Sequence, residues 1–251
     1  MRRVCFIGNS HVGSVKRAAD EIKDSGVLDG VDVTIFGSHR DSLKTLKIRD
    51  GYLVSDDDFV QKNFHWTSGG STKVKISEYD EICFILGRSI FDFTKFQAGT
   101  DIPFISNNLA MKLVNAALNT WPMRLAMRTA KESDNVQVTH VGRPFVSAEA
   151  PLSKAILARF SEPESKISSR TEQLRTLMDE KSTEVSEGNF RFMKPPTATL
   201  EEHGLFTQHI FCQGSIRLGK KMNKSHSTDD YGHMNADYGR LILEHLLAQT
   251  A

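Results

Sequence analysis

The chain has 251 residues, 39% hydrophobic and 25% charged, an ordinary globular composition with room for one large α/β domain. Its 32 basic and 31 acidic residues leave a net charge of +1, and no Lys/Arg block with interleaved aromatics stands out, which argues against a nucleic-acid partner. No apolar run approaches the length of a membrane span, and Cys5, Cys83 and Cys212 form no C-x-x-C pair, so a cytoplasmic protein with buried thiols is expected.

Val4–Ile7 reads as a buried strand that ends at Gly8-Asn9-Ser10-His11, with a helix over 16–25 behind it. Several chemistries share such a turn. Gly8 and Ser10 can simply turn the chain and cap the helix. Gly8-x-x-x-x-Gly13 has the glycine spacing of a phosphate-binding loop, but Ser14 stands where that motif needs Lys. The dinucleotide pattern G-x-G-x-x-G is absent from the turn. Alternatively, Ser10 is a nucleophile presented at the carboxyl end of a strand, and it then requires a base from elsewhere in the chain.

Val31–Phe36 alternates like a second strand and runs into a loop at Gly37-Ser38-His39. Within 40–66, Leu43, Leu46, Ile48, Tyr52 and Leu53 suggest short strands, and Asp56-Asp57-Asp58 reads as a solvated turn rather than a metal loop. Residues 67–72 have loop composition. Glu81–Leu86 is the strongest buried strand, and it ends in Gly87-Arg88-Ser89. Residues 105–131 read as two helices broken at Pro122, and Val136–Val141 as a strand before Gly142-Arg143. The segment 151–190 has the character of a helical arm or lid, Phe190–Met193 is a short strand, and 197–229 is loop-rich, with His203, His209 and His226. The chain closes on Asp230-Tyr231-Gly232-His233 and a helix through Leu246. Strands alternating with helices predict a single domain over 1–251, a three-layer α/β/α sandwich around a central parallel sheet.

Asp230 and His233 supply the base that the serine reading needs. In a loop before a helix, D-x-x-H spacing lets the carboxylate hold the imidazole at Nδ1 and leaves Nε2 for Ser10. A surface loop that caps the last helix would have the same sequence.

The order of these motifs resembles the SGNH, or GDSL-like, hydrolase superfamily. Gly8-Asn9-Ser10-His11 matches its first block, Gly70 its second, Gly87-Arg88-Ser89 its third, and Asp230 with His233 its fourth. The resemblance implies a flavodoxin-like sheet and a serine esterase or acyl-transfer enzyme with no cofactor or metal. Its roles fall on Ser10 as nucleophile, His233 as base and Asp230 as orienter. Ser10, Gly70 and Ser89 would form the oxyanion hole. Asn9 replaces the family's usual Asp, and Ser89 replaces its oxyanion-binding Asn. The second change admits a weak or inactive binding protein of the same fold, in polysaccharide metabolism. The implied substrate is an acyl ester, acetyl foremost, of a carbohydrate or other small polar molecule. His11, Arg88 and Arg143 are its candidate contacts, the two arginines because each follows a strand-end glycine and can grip an anion.

Overall fold

Val4, Cys5, Phe6 and Ile7 are all fully buried, and their alternation sets the layering of the molecule. The computed structural model describes residues 1–87, 106–133, 135–158, 176–178, 180–184, 189–202, 204–219 and 224–248. In it these four residues lie in β1 (Arg2–Gly8). Cys5 and Ile7 enter one core and Val4 and Phe6 the other, because successive strand side chains point to opposite faces. Ile82 and Phe84 of β6 (Glu81–Ile85) divide from Cys83 and Ile85 in the same way. A strand covered on both faces needs a near-continuous apolar run, and both strands have one. Each such Phe or Ile contributes roughly 1.5–3 kcal/mol by burial.

β1, β6, β2 (Val31–Gly37), β7 (Gln137–His140) and β8 (Phe190–Phe192) form one five-stranded sheet in the order β2-β1-β6-β7-β8. Every pairing in it is parallel. Renumbered within the sheet, that order is 2-1-3-4-5, the flavodoxin-like arrangement, whose switch point lies between its first and third strands. Here these are β1 and β6, and Gly8 is level with Gly37 on one side and Ile85 on the other.

Helices cover both faces, as expected. α1 (Val12–Ile22) and α6 (Ala236–Ala248) pack on one core. α2 (Asp58–Ser68), α3 (Asn107–Leu118) and α4 (Trp121–Lys131) pack on the other. A further helix, α5, spans Pro151–Leu157. Within 151–190, Met178 is buried in the core that holds α3 and α4, so this part of the expected arm lies against the body of the domain.

The expectations for 40–72 hold in part. Short strands do form, as an antiparallel trio of β3 (Lys47–Arg49), β4 (Tyr52–Val54) and β5 (Val74–Lys75). Residues 58–68, however, are helix α2. Asp57 caps it by accepting from the Phe59 N–H at 2.8 Å, and Val60, Phe64 and Thr67 bury one face. The three aspartates divide their work. Asp56 pairs with Lys47 and Arg49, Asp57 caps, and Asp58 places a negative charge in the first turn.

Candidate active site

The turn after β1 leaves the strand at the switch point. Gly8 permits it, because a Cβ there would lie 2.8 Å from the Val12 Cβ and 3.0 Å from the Ile85 carbonyl. Asn9 shapes the turn, its Oδ1 accepting the His11 N–H at 3.2 Å. Val12 N–H donates to Asn9 O and Gly13 N–H to Ser10 O. The N–H groups of His11, Val12 and Gly13 are thus engaged inside the turn rather than turned toward a phosphate. Ser10 does not cap α1 either, since that helix begins without a side-chain cap.

The Ser10 hydroxyl instead meets His233, with Oγ 2.8 Å from Nε2. His233 is carried by the segment that leads into α6. Asn235 holds that segment by donating from Nδ2 to the Ile210 and Gln213 carbonyls, and it caps α6 by accepting the Tyr238 N–H. Tyr231 O accepts the Ser147 N–H at 2.8 Å. Asp230 then folds back on the imidazole, with Oδ2 2.9 Å and Oδ1 3.1 Å from Nδ1. Because a carboxylate accepts, Nδ1 carries the proton, and Nε2 is left to accept from Ser10.

Burial works against the charge of Asp230. The N–H groups of Gly232 and His233, both 3.0 Å from Oδ1, and the imidazole outweigh it and bring the carboxyl down to about 2. It is therefore ionised wherever the imidazole can act as a base.

Two further imidazoles enclose the base. His11 stacks on His233 with centroids 4.7 Å apart, and His226 stacks on it at 4.0 Å. Desolvation first, then the proximity of His233 and Arg143, lowers His11 to about 3, so it stays neutral. Among the described residues its buried Nδ1 has no hydrogen-bond partner. His226 also hydrogen-bonds the shared acid, with Nδ1 2.8 Å from Asp230 Oδ2. Sequence reading placed His226 only in a loop. The signal available was its spacing, four residues before Asp230 and seven before His233. These two histidines and Asp230 are also near enough to share a metal ion, although their ring and carboxylate atoms already satisfy one another.

Ser10, His11, Asp230 and His233 thus come together, and the half-buried Arg143 acts electrostatically on His11. Gly70 does not join them as an oxyanion donor. Gly69 adopts a left-handed conformation at the end of α2, and the Gly70 N–H donates to the His65 carbonyl at 2.8 Å, so this exposed glycine caps a helix. Arg88 and Ser89 lie outside the described residues. Among the described residues the Ser10 N–H has no acceptor.

No protein-family model matches the chain, and no curated protein does. Among solved structures, an extracellular lipase from Streptomyces rimosus is similar over 100% of both chains, at 12% identity and a TM-score of 0.45. A lipase from a goat rumen metagenome is similar over 100% of this chain and 98% of its own, at 10% identity and a TM-score of 0.44. A DUF4886 family protein from Bacteroides uniformis is similar over 97% of this chain and 80% of its own, at 12% identity and a TM-score of 0.41. Among the described residues no helix is long and apolar enough to cross a membrane.

Proposed function

We propose that the chain is a serine esterase or acyl-transfer enzyme of SGNH type, with Ser10 as nucleophile, His233 as general base and Asp230 as its orienter. The observation that carries this reading is the relay from Ser10 Oγ to His233 Nε2 at 2.8 Å and from His233 Nδ1 to Asp230 at 2.9 Å. A helix cap or a surface loop does not require that alignment between residues 223 positions apart.

The chemistry follows from the geometry. His233 Nε2 takes the Ser10 hydroxyl proton as Oγ forms a bond to the ester carbonyl carbon, and the carbonyl π pair moves onto oxygen. Asp230 stabilises the imidazolium. The Ser10 N–H is a donor for the oxyanion, and Ser89 is the sequence's candidate for a second. When the oxyanion re-forms the carbonyl, the C–O bond to the alcohol breaks and the alcohol leaves with the proton from Nε2. Water, or an acceptor hydroxyl, then attacks the acyl-Ser10 with the same proton transfers and releases the acid or a new ester.

For the substrate we propose an acyl ester, acetyl foremost, of a carbohydrate or other small polar molecule, with His11, Arg88 and Arg143 as contacts. The near-neutral charge of the chain gives no support to a nucleic-acid partner, and a cytoplasmic setting belongs to the same proposal.

The test is turnover of p-nitrophenyl acetate and butyrate by wild type and Ser10→Ala, with fluorophosphonate labelling alongside. Ser10→Ala is expected to lose about 10³-fold or more in kcat and all of the label. Equal turnover by both proteins with no label on Ser10 would sink the enzyme reading in favour of a binding protein of the same fold.

A further inference from the structure

His226 stands beside the relay without belonging to it. Its backbone is fixed by a short antiparallel ribbon in which Arg217 N–H donates to Lys224 O, Ile216 bridges Ser225, and His226 N–H donates to Ser215 O at 2.9 Å. That ribbon aims the ring at Asp230. The Asp230 carboxylate thus has two distinct sets of donors. Oδ1 takes the N–H groups of Gly232 and His233 from its own loop, while Oδ2 takes Nδ1–H from both His226 and His233. The side chain of His226 is only 9% exposed, so water competes weakly for this bond.

We propose that His226 is a positioning residue of the site, an outer imidazole whose Nδ1–H holds Asp230 in the orientation that His233 needs. The inference rests on the esterase reading above. Its physical basis is that a carboxylate on an otherwise exposed loop, where Ser227, Thr228 and Asp229 all face solvent, can rotate about its side-chain bonds. The loop's backbone N–H groups reach only Oδ1, and within the loop Oδ2 has the imidazole of His233 alone. The ribbon reaches across and gives Oδ2 a second donor. Stacking of His226 on His233 then limits the tilt of the base as well. Desolvation, followed by the nearness of His233, holds the His226 pKa below its ordinary value, so it donates as a neutral ring and does not remove the charge of Asp230.

Two substitutions separate the bond from the ring. His226→Phe keeps a flat face against His233 and loses the N–H. His226→Asn keeps an N–H donor near the place of Nδ1 and loses the ring. With p-nitrophenyl acetate, His226→Phe is expected to lower kcat about 10- to 100-fold, with KM within about twofold of wild type. The groups facing this pair are Arg217 beside His226, and His11 with Arg143 beyond it on the other side, and neither substitution touches them. His226→Asn should restore most of the lost kcat.

Wild-type kcat in His226→Phe would overturn the proposal, and so would His226→Asn being as impaired as His226→Phe. Should His226→Phe not fold, proton NMR of wild type and His226→Asn decides. Two downfield imidazole N–H signals in wild type and one in the variant support shared anchoring; a single signal in wild type overturns it. Ser10→Ala keeps the outcomes apart. An active Ser10→Ala removes the esterase reading itself, whereas an inactive one beside a fully active His226→Phe removes only the role of His226.

Discussion

Asp230 serves donors from three residues with two oxygens, and this makes it the most sensitive single atom group of the site. Asp230→Asn preserves its size but turns one oxygen into a donor. The amide would face Nδ1 of His233, which must then accept, and Nε2 would carry the proton and no longer accept from Ser10. We expect kcat to fall by about 10³–10⁴ with KM little changed, as measured by steady-state kinetics alongside a crystal structure that shows intact geometry. A loss below about tenfold would contradict the assigned tautomer. The folded pKa of Asp230 is depressed, so its contribution to stability is complete above its ordinary 3.8 and is lost only as pH falls through about 2. Its protonation therefore does not set the acid limb of activity.

At the scale of elements, the site depends on how closely α1 and α6 cross. α1 follows the nucleophile and α6 follows the base, so their separation sets the Ser10–His233 distance. Gly239 fixes it, because a Cβ there would lie 2.1 Å from the Ser14 carbonyl oxygen and 2.8 Å from the Val15 nitrogen. These are backbone atoms, which cannot rotate away. Gly239→Ala must push the helices apart, with an expected destabilisation of about 1–3 kcal/mol or more by urea unfolding. Esterase turnover should also fall, measured well below the melting temperature. Unchanged turnover in the folded variant would show that the crossing does not govern the site.

Much at this scale is legible in the sequence. β1 and β6 announce themselves because burial on both faces demands unbroken apolar runs, and D-x-x-H is local enough to read as a pair. α2 is less visible, since its buried face, Val60, Phe64 and Thr67, is narrow and lies between polar residues. α3 was readable as a helix but not in its phase. Ala110, Val114, Ala117 and Leu118 are buried, while Leu109 faces out, because packing selects the stripe that fits beside α4. Gly70 shows the limit of a motif. Its neighbours mark a loop, but only coordinates reveal that His65 already holds its N–H. His226 was hidden for a related reason: a loop has no period, so nothing in the sequence says that a ribbon turns this histidine toward Asp230.

The whole molecule has a built-in sensitivity to acid. His140, at the end of β7, is 3% exposed, and its Nε2–H donates to the Leu86 carbonyl at 3.0 Å. Burial lowers its pKa from 6.5 to about 4, and the bond to Leu86 only partly opposes that. The folded protein thus keeps this ring neutral while the unfolded chain protonates it. Its contribution is fully present above pH 6.5 and is lost as pH falls toward 4, on the order of 3 kcal/mol at the lower end. His11, also held neutral by burial, adds to the same slope. Urea midpoints should fall steadily from pH 6.5 to 4. His140→Gln, which can donate to Leu86 but does not titrate, should flatten that fall. An identical slope in the variant would mean that the acid sensitivity arises elsewhere.

The two halves of the relay come from opposite ends of the chain, 223 positions apart. During synthesis, the turn that bears Ser10 leaves the ribosome well before His233 and the helix that presses against α1. A growing chain that ends short of His233 therefore carries Ser10 without its hydrogen-bond partner. In the proposed mechanism, Ser10 becomes reactive only once the segment that bears His233 has docked beside it.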